Sequence, residues 1–323
     1  MRGRLTPFAS THFTTTPMKA VVFLLPLLLL AACKPATEPA PQTSASRNDG
    51  KPQVYVANYP LKYFAERLGG GLVEVQFPAP ADEDPAFWQP DDATIAAFQG
   101  ADLILMNGAA YSKWAEKVTL PQSKLVDTSA AFKAAYIEIK AESTHSHGPG
   151  GEHSHSGTAF TTWTDLQQAI QQAAAVAKAL EGLLGEGGAK EVQARFNALK
   201  TDLEALDQRL LGAGRRIGGA PLVASHPVYH YLARRYALNL QAVLWEPEVV
   251  PDSKALDDLK AILAKHPAKW MLWEGEPAAE SVSKLAALGV QSLVYDPCGN
   301  VPEKGDFLSV MKANVEALEK AFP

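Results

Sequence analysis

Short apolar runs recur along the chain, each followed by a stretch of mixed polarity long enough for a helix. In the first half they are QVYVA (53–57), LVEVQF (72–77), DLILM (102–106) and KLVD (124–127). In the second half they are PLVAS (221–225), LQAVL (240–244), KWMLW (269–273) and SLVYD (292–296). Apolar runs of this length, alternating with helical segments at 60–68, 91–99, 227–237 and 253–265, predict buried parallel strands in βα units. Two groups of four strands predict an α/β fold of two small parallel-sheet lobes. No sequence repeat relates the halves, so their likeness is architectural.

Between the two groups lies the longest helical pattern. Val192, Phe196, Leu199, Leu203, Leu206 and Leu210 follow one another at alternating steps of four and three, which draws one apolar stripe down a helix. Gly212 and Gly214 supply stop signals, and a further helix over 164–184 precedes it, ending at GEGG. The predicted organisation is an N-terminal lobe at 51–190, a linker helix at 191–214 and a C-terminal lobe at 215–323. A single rigid linker helix would hold the lobes in nearly fixed relation.

The N-terminal stretch reads differently. MKAVVFLLPLLLLAAC begins at Met18 with one positive charge, and its apolar run is too short for a comfortable membrane span. Leu30-Ala31-Ala32-Cys33 resembles a lipobox, so residues 1–33 are read as a signal peptide, with Met18 as its start and Cys33 as the lipidated residue. Residues 34–50 are rich in Pro, Ser, Thr and Ala and read as a flexible tether. With Cys33 lipidated, Cys298 is the one remaining cysteine, which excludes an intramolecular disulfide. Its alternatives are a buried thiol and a metal ligand.

The chain of 323 residues is 47% hydrophobic, enough for an ample core, and its net charge of −5 leaves no basic footprint for nucleic acid. Four of the eight histidines crowd into THSHGPGGEHSHSG at 144–157. A segment of this composition predicts a loop (144–156), in which His145, His147, His153 and His155 either contact a borderline metal or serve as a solvated tether.

In open α/β sheets, ligands bind beyond the carboxyl ends of the strands. The acidic loop after 72–77 carries Asp82, Glu83 and Asp84; His226 follows PLVAS, and Trp245-Glu246 follows LQAVL. Glu274 and Glu276 follow KWMLW, and Asp296-Pro297-Cys298 closes the last strand. Carboxylates in such positions commonly cap helices. Gathered with a histidine they form a donor set suited to zinc or manganese.

These segments together resemble the periplasmic solute-binding lipoproteins of zinc and manganese ABC importers. The marks are YVANYPLKYFAERLGGG, DDATIAAFQGADLILMNGAAYSKW, the His-rich insertion, the linker helix, SHPVYHYLARRYAL, the Glu-Pro turn at 246–247 and YDPCGNVPEKGDFLSVMKANVEALEKAF; the likeness covers nearly all of 51–323. It implies a metal cleft between the lobes, lined by three histidines and one carboxylate. The third histidine then corresponds to His226 and the carboxylate to Asp296, while Asp84 stands nearest the first histidine's place with Glu83 beside it. Thr161 stands where the second histidine is expected, and threonine is a poor zinc ligand. Substitutes are His153 or His155 from the tract, and Glu274, Glu276 or His230 from the second lobe. Cys298 as a ligand would favour zinc or copper(I).

The resemblance implies a lipid-anchored monomer on the periplasmic face of a bacterial membrane, delivering zinc, or second manganese and last copper, to an inner-membrane ABC permease. Two other readings are a metal buffer working through the His tract and a metal-assisted hydrolase. Against the hydrolase, the chain contains neither H-E-x-x-H nor G-x-S-x-G, so it is read as a binding protein rather than an enzyme.

Overall fold

The computed structural model describes residues 50–139 and 157–323, with the strand backbone at 144–146 and 152–154. The leader, Cys33, the tether, His147 and His155 lie outside the described residues.

The first lobe runs β1 (Gln53–Val56), α1 (Tyr59–Gly69), β2 (Glu74–Gln76), α2 (Asp92–Gly100), β3 (Leu103–Met106) and β4 (Leu125–Asp127). Its four strands are parallel in the order β2-β1-β3-β4. Helix α1 starts where the Asn58 carboxamide accepts the Leu61 N–H, and it ends at Gly70 in the left-handed conformation. Every residue of β3 is buried, which is why it reads as the unbroken apolar run LILM. Beyond β4, β5 (Glu138–Ile139) pairs antiparallel with β8 (Gly157–Thr158). Between them β6 (Thr144–Ser146) pairs with β7 (Glu152–Ser154), in a register that sets His145 opposite His153.

Helix α3 (Leu166–Ile217) follows, interrupted at Gly185, where φ is 63° and ψ is −165°. The second lobe then runs β9 (Pro221–Ala224), α4 (His230–Tyr236), β10 (Asn239–Ala242), α5 (Ser253–Lys265), β11 (Trp270–Trp273), α6 (Ala279–Ala287), β12 (Gln291–Val294) and α7 (Phe307–Ala321). Its parallel strands stand in the order β10-β9-β11-β12, the same pattern as in the first lobe. The α/β fold of two similar parallel-sheet lobes with a long helix between them is therefore the one the apolar pattern predicts.

The part of α3 beyond Gly185 is the spine. Its stripe of Val192, Leu199, Leu203, Leu206 and Leu210 is buried in the main core, each fully buried leucine contributing about 1.5–3 kcal/mol. It packs on α1 of the first lobe and on α4 and α7 of the second. Asp207, fully buried, accepts from Arg235 Nε and Nη2 (2.6 Å each), Tyr236 Oη (2.9 Å) and Gln167 Nε2 (3.0 Å). Burial pushes its carboxyl up, but these donors outweigh that and hold it below the usual range.

Two glycines near the end of α3 differ in what surrounds them. A Cβ at Gly214 would drive into the Tyr236 carbonyl, so α4 approaches α3 closely only because residue 214 has no side chain. A Cβ at Gly212 meets only the guanidinium ends of Arg216 and Arg215, at 3.6 and 3.9 Å. We expect Gly212→Ala to stabilise the protein by about 0.5–1 kcal/mol through helix propensity. Gly214→Ala should destabilise it by about 1–3 kcal/mol through overpacking. Urea titrations of the two variants check the opposite signs.

Candidate metal centre

In each lobe the strand order reverses between the first strand and the third, so the crevice for a ligand lies beyond the ends of β1 and β3, and of β9 and β11. The two crevices are filled differently. In the first lobe Asn58 Nδ2 donates to Asn107 Oδ1 (3.1 Å), and Gln172 Nε2 donates to the same oxygen (3.0 Å) and to Thr128 Oγ1 (3.1 Å). All four are buried, so neutral amides and a hydroxyl satisfy one another there.

In the second lobe the crevice holds acid and base. Ser225 N donates to the Leu272 carbonyl and extends β9 along β11 by one residue, which delivers His226 to the crevice. Trp245 N donates to the Ser225 carbonyl (2.7 Å), so the chain leaving β10 stays alongside β9 and brings up Glu246. Glu274 follows β11 directly. Trp245 and Trp273, the residues before the two glutamates, lie with ring centroids 6.1 Å apart in the core beneath.

Ligand-capable atoms of His226, Glu246 and Glu274 lie within 4.8 Å of one another. His226 Nδ1 is 3.5 Å from Glu274 Oε1 and 3.7 Å from Glu246 Oε1. Two donors on one tetrahedral zinc are about 3.4 Å apart, given bonds near 2.1 Å. The spacing suits donors that share a cation. The His226 side chain is 5% exposed, against 23% for Glu274 and 32% for Glu246, so the open side of the group is carboxylate.

Two further carboxylates surround it. The Glu274 carboxyl is raised well above its usual value, first by burial and then by Glu246, Asp84, Asp296 and Glu248. Asp296 is fixed through its backbone: its N–H donates to Asn314 Oδ1 (3.1 Å) and its carbonyl accepts from Asn314 Nδ2 (2.7 Å). Burial raises the Asp296 carboxyl, partly offset by the Cys298 N–H that donates to it. Asp84 lies on an exposed loop of the first lobe, its carboxylate accepting from Ala86 N (2.9 Å). It also acts on Tyr111, whose hydroxyl is raised by burial first and Asp84 second.

The compact group is made of His226, Glu246 and Glu274, each at a strand end singled out in the sequence. Asp84 and Asp296 stand around it, outside the compact trio. Glu83 and Glu276 are exposed, and His230 opens α4; none belongs to the trio. Cys298 is buried in the left-handed region (φ 59°), and burial followed by the Asp296 charge keeps its thiol protonated. The Thr161 hydroxyl donates to the Val228 carbonyl (2.5 Å) and so ties the first lobe to the segment after His226. In the first lobe a series of rings packs edge to face, Phe87–Phe160, Phe160–Tyr111 and Tyr111–Trp163 lying 6.0, 5.4 and 5.6 Å apart.

Three comparisons bear on this arrangement. The family model described as "Zinc-uptake complex component A periplasmic" matches residues 54–321. The zinc-binding lipoprotein AdcA of Streptococcus pneumoniae (strain TIGR4) is 24% identical over 321 residues, covering 94% of this chain and 61% of the relative. The chain therefore spans about three fifths of that relative's length. Among solved structures, the metal-dependent lipoprotein YcdH from Bacillus subtilis superposes with a TM-score of 0.70 at 18% identity, over 84% of this chain and 98% of the other. Zn(II)-bound AdcA from Streptococcus pneumoniae gives 0.70 at 18% identity, over 84% of this chain and 58% of that one. At these identities the superpositions establish the fold.

The raised Glu274 carboxyl has a consequence for stability. A carboxyl whose folded pKa lies above its unfolded value favours the folded state below the unfolded pKa, and that contribution is lost as pH rises through the folded pKa. Glu274→Gln should therefore stabilise the metal-free protein at pH 8 by on the order of 1 kcal/mol, about 2–4 °C in Tm. The gain should shrink as pH falls and the raised carboxyl takes up its proton. Thermal melts of both proteins in chelator across this range measure it.

Proposed function

The chain belongs to the family of periplasmic zinc-uptake complex component A, and from that premise we propose that it captures zinc in the second-lobe crevice and passes it to an ABC permease. The observation that carries this reading is the imidazole and two carboxylates of His226, Glu246 and Glu274, spaced as donors to one ion. Asp296 and Asp84 complete or neutralise the sphere from either side. The protein binds and releases its cargo and does not transform it. Any N/O site prefers zinc to manganese by the Irving–Williams order, and a carboxylate-rich set narrows that margin without reversing it. An auxiliary zinc contact through the His-rich tract, with His145 and His153, remains part of the proposal.

His226→Ala should weaken zinc binding by more than about 100-fold, beyond what outer-shell changes produce, while Glu246→Gln and Glu274→Gln should each cost about 10–100-fold. Parent affinity should fall as pH drops, because a protonated imidazole cannot donate. Chelator-competition titrations at several pH values, repeated with manganese, test all of these. Parent-like zinc binding by His226→Ala would remove the site from this crevice.

The membrane attachment is a second component of the reading. Among the described residues no helix is long and apolar enough to cross a membrane. A diacylated Cys33 would anchor the protein, since two chains hold stably where one is marginal. Cys33→Ser should move the protein from the membrane to the soluble fraction with its fold and zinc affinity unchanged. Continued full membrane retention contradicts lipid anchoring.

A further inference from the structure

Five consecutive residues, Asp296 to Asn300, connect the metal crevice to the opposite lobe. The Pro297 carbonyl accepts from Trp163 Nε1 (2.7 Å), and the Gly299 carbonyl accepts from Tyr59 N (3.1 Å). Asn300, at the end of the segment, reaches further. Its Nδ2 donates to the Pro80 carbonyl (2.7 Å) and to the Glu83 carbonyl (2.8 Å), both in the loop that carries Asp84. Its Oδ1 accepts from Val301 N (2.7 Å), which fixes the amide so that both N–H donors face the loop.

The loop packs on its own lobe through Phe87 against Phe160 and Trp88 against Trp114. The Asp84 carboxylate accepts from Ala86 N, its carbonyl accepts from Phe87 N (3.0 Å) and Trp88 N (2.9 Å), and Glu83 N approaches the Pro80 carbonyl at 3.4 Å. These bonds shape a turn but do not fix where the turn sits relative to the second lobe. The Asn300 carboxamide ties two of its carbonyls to the chain that begins at Asp296.

We propose that Asn300 is a positioning residue of the metal site: it holds the Asp84 loop against the second lobe, so that Asp84 and Asp296 flank the His226–Glu246–Glu274 group together. The inference rests on the reading of that group as a zinc site. Asn300 touches no metal. It acts by making Asp84 a resident of the site instead of a group that must be ordered each time an ion binds.

Zinc release from the full chain into excess chelator, followed by stopped flow, tests it. Asn300→Ala should release zinc about 3–30-fold faster, as expected for two lost hydrogen bonds. Asn300→Asp, which keeps the size and the Val301 contact but turns an oxygen onto two carbonyls, should release it faster still. In an Asp84→Asn background, neither change at residue 300 should add anything. Overturning results are an unchanged rate in both Asn300 variants, or the same acceleration with and without Asp84. His226→Ala, measured alongside, separates the two ideas: parent-like binding by that variant refutes the zinc site itself, whatever the Asn300 variants do.

Discussion

Like charges held at short range by a rigid sheet set the terms for this protein. Glu246 and Glu274 follow the strands on either side of the one that ends at His226, and backbone hydrogen bonds hold these strand ends side by side. At about 4 Å, two unit charges interact by about 4 kcal/mol at the effective dielectric of a protein surface, so a divalent cation between them is strongly favoured. Protonation of Glu274 is the lesser remedy, its carboxyl being raised first by burial and then by the neighbouring carboxylates. On the proposed reading, the geometry of the strands gathers the donors for a cation.

The two lobes share a strand order but divide the labour. In the first lobe the crevice is closed by Asn58, Asn107, Gln172 and Thr128, a satisfied neutral network that fixes the strand ends and leaves little for a ligand. In the second, the same topological position carries titratable groups. Helix α3 holds the halves in register through its buried leucines and the Asp207–Arg235 pair, while Thr161, Trp163 and Asn300 stitch the rims of the cleft. The first lobe therefore contributes one exposed loop bearing Asp84; the second contributes the closest donors. Metal selectivity then rests on one imidazole among carboxylates, a harder set than three imidazoles.

The fold was legible because its signals are local. Strands β3 (LILM) and β11 (WMLW) are unbroken apolar runs, the shorter β2 (EVQ) and β10 (NLQA) mix polar and apolar residues, and α3 beyond Gly185 carries an apolar stripe read from spacing alone. The site was legible in part, for a related reason. Strand ends can be found in a sequence, so His226, Glu246, Glu274 and Asp296 stood out. Strand order cannot. Glu246 joins His226 only because β10 lies beside β9, and nothing in LQAVLWEP shows which neighbour that strand chooses. Thr161, at the place where a second histidine is expected, has its hydroxyl committed to the Val228 carbonyl. Asn300 was invisible for want of any local signal, since its partners lie more than two hundred residues away.

In the loaded protein the ion should see one imidazole and a majority of carboxylate oxygens, from His226, Glu246 and Glu274 with Asp84 or Asp296 beside them. X-ray absorption at the zinc edge reads that composition directly, because imidazole rings give outer-shell scattering that carboxylates lack. With one equivalent of zinc bound, the expected result is scattering from a single imidazole, with the remaining nearest neighbours oxygen. A signal of two or more imidazoles, or of sulfur, would contradict a carboxylate-rich crevice site and place the ion on the histidine tract or Cys298 instead.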